Sequence, residues 1–304
     1  MPRPDFPKSI IEFQRWFPDE EACIKYLYES RWPDGFMCPI CGDREAYYIT
    51  TRRAFKCKAN GHQTYLTAGT VMHGSHTPLA IWFWTAYLMT TVTPGISAVQ
   101  IQRQLGITYE TAFNILHKLR SSMFNPERTK IKGVVEVDET YIGGHTTGGK
   151  RGRGTEKAIV AIAVERIKDH AGRVRLRYIK DVSESSLIGF IKDSAEKSGT
   201  IITDEFPSYR NINRHGYKHK IEEDLRLAHL VASNLKTWIK GIFHGVSEKH
   251  LQAYLNEFTF RFNRRRTPMA AFQTILGLAS KVEDWPTYEE LYSGEWEHPN
   301  PFEE

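Results

Sequence analysis

From Lys132 onward the apolar residues change from helical spacing to the closely set runs of strands, and the order of elements that follows admits few folds. GVVEVDETYIGG, KAIVAIAVER and VRLRYIKDV are three successive segments rich in β-branched residues. They are followed by a helical stretch (ESSLIGFIKDSAEK), another strand (TIITDEF) and two longer helices that end near Arg265. Three strands, a helix, a fourth strand and further helices form an α+β order that departs from strict βαβ alternation.

This is the element order of a ribonuclease H-like domain, and two aspartates stand at notable places within it. Asp138 follows the apolar run VVEV and Asp204 follows TIIT, so both carboxylates are expected at strand ends. Neighbouring strands can bring two such ends to one pair of hydrated Mg²⁺ or Mn²⁺ ions, which need hard oxygen ligands. One aspartate at a strand end is usually a turn or cap residue, but two in this strand order point to a metal site. A third ligand is expected from the helix AHLVASNLKTWIKGIF, where His229, Ser233 and Lys236 are spaced i, i+4 and i+7 and share one face. His229 is the candidate metal ligand and Lys236 the candidate DNA contact.

The chain has four cysteines, too few and too unevenly spaced for a disulfide scaffold. Cys38 and Cys41 form a CxxC knuckle, and Cys57 follows within CKANGH. Zinc ribbons pair two such knuckles across a separation of this size. The position three residues after Cys57 is Asn60, so His62 is read as the fourth ligand of a structural Zn²⁺ site made of Cys38, Cys41, Cys57 and His62. Cys23 competes for that place, but it falls inside a helix and reads as a small apolar packing residue.

Before the strands, Ser75 to Met123 reads as helical. An aromatic-rich run (LAIWFWTAYLM) precedes ISAVQIQRQLGITYETAFNILHKLR, whose apolar positions flank Gly106 in the manner of a helix-turn-helix. Its second helix would present Thr108, Tyr109, Glu110, Asn114 and Lys118 to a major groove. Residues 8–31 read as two short helices, the second starting after Pro18.

Charge agrees with a polyanionic partner. The net charge is +5, but eight of the 36 acidic residues fall in residues 283–304, which hold no Lys or Arg, so the first 282 residues carry about +13. The basic candidates for phosphate contact are Lys150, Arg151 and Arg153 in a Gly-rich loop, and Arg264, Arg265 and Arg266 after the last long helix. No apolar run reaches the roughly 18 residues that span a bilayer, and the N-terminus lacks the pattern of a signal peptide, so a cytoplasmic location is expected.

With these residues in view, the sequence resembles a bacterial family of insertion-sequence transposases that carry an N-terminal zinc ribbon. The resemblance runs from about Phe17 to Arg266 and rests on RWPDGFMCPICG, AGTVMHGSHTPLAIWFW, VDETYIGG, TDEFPSYR and SEKHLQAYLNEFTFRFNRR. It implies a DDE-type catalytic domain that cleaves DNA at element ends and joins them to target DNA with divalent metal, without a covalent protein–DNA intermediate. It also implies a homo-oligomeric synaptic complex. The family's first two aspartates fall on Asp138 and Asp204, its usual basic residue falls on Lys236, and the Glu of its NxxE pattern falls on His229. Asn234 is the alternative third ligand if the helix is shifted. An inactive DNA-binding derivative and a structure-specific nuclease are the competing functions. The expected organisation is a helical segment (1–36), a zinc ribbon (37–72), a helix-turn-helix region (75–125), a ribonuclease H-like domain (131–282) and an acidic tail (283–304).

Overall fold

The computed structural model describes residues 6–124, 128–143, 157–268, 271–276 and 288–293. They divide into two compact units, one running to Met123 and rejoined by Arg266–Ser293, the other spanning Phe124–Arg265.

The first unit begins with α1 (Ile10–Trp16) and α2 (Glu20–Arg31), whose first turns are capped by the side chains of Ser9 and Asp19. Helix α3 (Leu79–Thr91) follows Pro78 and has no side-chain cap of its own. Glu20 supplies one from a distance, its two carboxylate oxygens accepting the N–H groups of Leu79 and Ala80 at 2.9 Å. Being apolar all round, α3 is buried on most of its surface, as such helices must be. Its Phe83 lies 4.9 Å from Phe17 and 5.7 Å from Phe272, ring centre to ring centre. Phe272 belongs to α9 (Ala271–Ile275), so this short helix packs with the N-terminal helices. An apolar segment without strong periodicity does not announce which core it will join.

Between α2 and α3 lies a three-stranded antiparallel ribbon of β1 (Ala46–Ile49), β2 (Ala54–Cys57) and β3 (Gln63–Tyr65). Its own core is small, with Phe36 stacked on Phe55 at 5.3 Å and Trp32 edge-on to both. Helices α4 (Ala98–Leu105) and α5 (Tyr109–Ser121) form the helical hairpin. Ser97 and Gln100 make a capping box at its start, and Gly106 turns the chain at φ 65°, in the left-handed region that glycine enters without a steric penalty. The exposed face of α5 differs from the expected one. Thr108, Tyr109 and Glu110 in the first turn of α5 are exposed, whereas Lys118 is only 7% exposed and donates Nζ to the His73 carbonyl. Asn114 is also partly covered. Burial of the second half of α5 follows from its run of apolar residues, Ile115, Leu116 and Leu119, which turn that end inward.

The second unit is a five-stranded mixed sheet in the order β6-β5-β4-β7-β8. Its strands are β4 (Val134–Ile142), β5 (Ala158–Ile167), β6 (His170–Ile179), β7 (Thr200–Thr203) and β8 (Lys218–Ile221). The first three are antiparallel neighbours, while β7 runs parallel to β4 and β8 parallel to β7. The sequence reading lacked β8, whose KHKI is short and mostly charged. Helix α6 (Glu184–Ser194) covers one face over Val135, Val137, Ala161 and Ile201. Helices α7 (Arg226–Trp238) and α8 (Glu248–Asn263) cover the other over Val160, Ile162, Val164 and Ile202. With both faces covered, β5 reads as a continuous apolar run, IVAIAV. The exposed edge of β6 is closed by α8, since Gln252 and Asn263 accept the N–H groups of Tyr178 and Val174. This is an α+β, ribonuclease H-like architecture.

No helix among the described residues is long and apolar enough to cross a membrane. The loop residues Lys150, Arg151 and Arg153 and most of the acidic tail lie outside the described residues.

Candidate active site and zinc ribbon

Strand pairing brings the segments that carry the two aspartates side by side. The parallel ladder between β4 and β7 ends with Glu136 matched to Ile202, and Asp138 and Asp204 each follow that last pair by two residues. Among the described residues the ligand atoms of Asp138, Asp204 and His229 do not all lie within 4.8 Å of one another. Asp138 is not at a strand end, as its sequence context had implied. It lies inside β4, which continues to Ile142 paired with β5, and it is β7 that stops at Thr203. The apolar run ends at Asp138 because charged residues interrupt it, not because the strand does.

Alternation along β4 sends Glu136 and Asp138 to the α7 face and Val135, Val137 and Glu139 to the α6 face. Asp138 is largely buried, with 14% of its side chain exposed, and His229 Nε2 lies 3.5 Å from its Oδ2. The other ring nitrogen of His229 is 3.8 Å from Asp224 Oδ1. Burial is the main cause of an Asp138 pKa raised to about 6; the charges of Glu139 and Asp204 raise it further, while a backbone hydrogen bond at Glu139 and the charge of His229 oppose the rise. Such a carboxyl is poised for a cation, whose charge would replace the missing solvation. Asp204 turns the chain through its Oδ1, which accepts Phe206 N–H at 3.0 Å. Further along α7, Asn234 and Lys236 are exposed, with Lys236 about 10 Å beyond His229 along the helix axis.

Two carboxylates that the sequence reading passed over hold this arrangement together. Glu136 is completely buried; its Oε2 accepts the N–H groups of Leu227 and Ala228 at 2.9 and 3.0 Å, in the first turn of α7. Its Oε1 accepts Arg166 Nε at 2.8 Å, and Arg166 reaches on to Glu222 at 2.8 Å. Glu222, held by Arg166 and Lys220, titrates at about 2. A negative charge at a helix N-terminus is favourable in itself, and this one joins the strand carrying Asp138 to the helix carrying His229. On the opposite face, Glu139 Oε2 accepts the Tyr209 hydroxyl at 2.9 Å, tying the turn after Asp204 to the same strand. The signal was present in VEVDE: a glutamate two residues before and another just after an aspartate, in a strand with too little room for unpaired charge.

In the ribbon, the sulfur atoms of Cys38, Cys41 and Cys57 all lie within 4.8 Å of one another, and Cys41 Sγ is 3.6 Å from Cys57 Sγ. Thiolates on one tetrahedral zinc would be about 3.8 Å apart, so the three fit the ion. For Cys38, burial raises the thiol pKa, but hydrogen bonds from the Cys41 and Ile40 backbone and from the side chains of Cys41 and Asn60 outweigh it and bring it to about 7. Neither His62 nor Cys23 joins the set. Cys23 is buried in α2 and pushed up to about 12 by burial and by Glu20 and Asp19, the state of an inert packing thiol.

Of the other basic candidates, Arg264 stacks on Phe260 at 3.9 Å, and Arg265 donates to the carbonyls of Ala171 and Phe262.

A ribonuclease H-like sheet with paired aspartates, preceded by a zinc ribbon, defines the class of the protein, and comparison gives its family. Residues 130–263 match the model of the ISXO2-like transposase domain, and residues 18–63 match that of the transposase zinc-ribbon domain. The chain belongs to the insertion-sequence transposases that join these two domains. A relative described as an uncharacterized protein in transposable element ISH50, from Halobacterium salinarum, is 26% identical over 294 residues, covering 86% of this chain and 98% of its own. Among solved structures, the simian T-cell lymphotropic virus intasome with PP2A regulatory subunit B56 gamma matches 56% of this chain and 66% of its own at 17% identity and TM-score 0.27. A pre-cleavage Mos1 transpososome matches 66% of this chain and 79% of its own at 10% identity and TM-score 0.25.

Proposed function

We propose that this transposase cleaves DNA at the ends of its insertion sequence and joins the freed 3′ ends to target DNA, using Asp138, Asp204 and His229 as ligands for Mg²⁺ or Mn²⁺. The reading is supported by one observation, that His229 lies 3.5 Å from Asp138, which like Asp204 follows the last pair of the β4–β7 ladder by two residues. When bound, the ions would activate a water or a 3′-hydroxyl and stabilise the leaving oxygen of the scissile phosphate.

The chain's own residues do the rest. Asp138 must lose its proton to bind a cation, and its burial keeps water from competing for the carboxylate. Glu136 fixes the start of α7, so His229 approaches with little freedom. Lys236, exposed on the same helix, is assigned to a DNA phosphate. Thr108, Tyr109 and Glu110 are assigned to the recognition of the element's end, and the ribbon, held by zinc on Cys38, Cys41 and Cys57, to its positioning. Transposition also needs two ends brought together, which calls for a homo-oligomer.

The test is an in vitro reaction with labelled element ends and a target plasmid. Asp138→Ala and Asp204→Ala should each abolish cleavage while leaving end binding intact. Cleaved ends that are never joined by the native protein would identify a nuclease instead.

A further inference from the structure

The two halves of the zinc site are built alike. At the first knuckle Gly42 N–H bonds to the Cys38 carbonyl at 2.9 Å and Cys38 N–H to the Asp43 carbonyl at 2.8 Å. At the second, Gly61 N–H bonds to the Cys57 carbonyl at 3.0 Å and Cys57 N–H to the His62 carbonyl at 2.9 Å. Gly42 and Gly61 take the same left-handed conformation, with φ 74° and 72°. The knuckles therefore correspond residue by residue. Cys57 matches Cys38, Asn60 matches Cys41, and His62 matches Asp43, one residue past the glycine.

Side chains follow the backbone. Asn60 turns inward, with Nδ2 3.7 Å and Oδ1 3.9 Å from Cys38 Sγ, and its Oδ1 also accepts His62 N–H at 2.9 Å. The contact from Cys41 to Cys57 and that from Cys38 to Asn60 thus face each other as opposite edges of a four-cornered site. His62 is exposed and its ring stays outside the thiol cluster. Asp43 approaches Cys57 Sγ to 3.8 Å but does not join all three sulfurs.

We propose that the fourth zinc ligand is the side-chain carbonyl oxygen of Asn60, making a three-thiolate, one-amide site. The inference rests on the reading of the ribbon as a zinc site and adds the identity of its weakest corner. A neutral oxygen donor contributes no charge and binds zinc more weakly than thiolate or imidazole. The ion is accordingly held less firmly than in a four-cysteine ribbon and exchanges more readily.

The experiment uses the full-length chain. Zinc content is measured on the native protein, zinc affinity by competition with a chromophoric chelator, and the ligand set from the visible and near-ultraviolet absorption of the Co²⁺-substituted form. About one zinc per chain is expected in the native protein. Asn60→Cys should bind zinc at least about ten-fold more tightly, with thiolate-to-cobalt absorption about one third stronger; Asn60→Ala should bind about ten-fold more weakly. His62→Ala should stay within about two-fold of native, since its ring lies outside the thiol cluster. Loss of affinity in His62→Ala or Asp43→Asn, with Asn60→Ala unchanged, would overturn the assignment. Folded native protein that takes up no zinc would instead overturn the zinc reading itself, and the gain in Asn60→Cys keeps the two failures separate even if Asn60→Ala does not fold.

Discussion

His229 Nε2 lies 3.5 Å from Asp138 Oδ2, an approach made across two elements, the central strand β4 and helix α7. In the absence of metal this is an ion pair whenever the imidazole is protonated. In the proposed reading the two side chains would instead hold a metal ion.

His229→Ala should therefore raise the Mg²⁺ concentration needed for half-maximal cleavage while changing the melting temperature little, because 58% of the His229 side chain is exposed. His229→Glu should recover part of the activity through an oxygen ligand on the same face. Lys236→Ala should weaken DNA binding and leave the Mg²⁺ titration unmoved. A titration shifted by Asn234→Ala instead of His229→Ala would transfer the third ligand to Asn234.

The raised pKa of Asp138 gives a pH dependence with a definite sign. Unfolded, the carboxyl titrates near its ordinary value of 3.8; folded, it titrates at about 6, so the folded state binds more protons between those values. The metal-free protein consequently gains stability as the pH falls through about 6 toward 4, and carries the cost of a buried carboxylate above 6. Asp138→Asn should stabilise the metal-free protein at pH 7.5 by about 1–3 kcal/mol. Thermal melts with chelator should show that advantage shrinking below pH 6. Metal affinity should fall over the same range, as protons compete for the ligand.

Glu136 is expected to matter for both fold and activity. Glu136→Ala leaves two helix N–H groups and Arg166 without their buried acceptor, and should cost roughly 3 kcal/mol in denaturant unfolding. Glu136→Gln, which keeps one acceptor oxygen, should cost less and retain more cleavage. Equal loss in the two variants would show that charge alone holds α7 in place.

Within the helical hairpin, Tyr109→Ala and Glu110→Ala should alter affinity or preference among end sequences in a gel-shift assay. Lys118→Met should leave both unchanged, since its ammonium is committed to the His73 carbonyl and burial lowers its pKa.

End binding should weaken steeply with salt, and neutralising Lys150, Arg151 and Arg153 together should flatten the log–log slope by about 0.9 for each DNA phosphate that these side chains neutralise in the native protein. A slope that the triple variant leaves unchanged would show that these three residues do not contact the DNA.

Much of this protein was legible in its sequence, because much of it is set by local physics. The period of the apolar residues marked the α-helices up to Arg265 and four of the five strands of the large sheet, Gly106 marked the turn of the hairpin, and the spacing of Cys38, Cys41 and Cys57 marked the ribbon. Tertiary structure decided what pairing and burial decide. The parallel pairing of β4 with β7, which sets the segments of Asp138 and Asp204 side by side, joins stretches more than 60 residues apart and leaves no local trace. The short charged strand β8 exists because β7 offers it an edge. Lys118 looked like a groove contact until packing turned that end of α5 inward, and Phe272 of α9 found its place among N-terminal aromatic rings. Glu136 and Glu139 read as ordinary strand charges, and their roles appear only when α7 and the turn after Asp204 are folded against them. A side chain's chemistry is written in the sequence, but its partners are chosen by the fold, since a buried charge is tolerated only where other elements satisfy it.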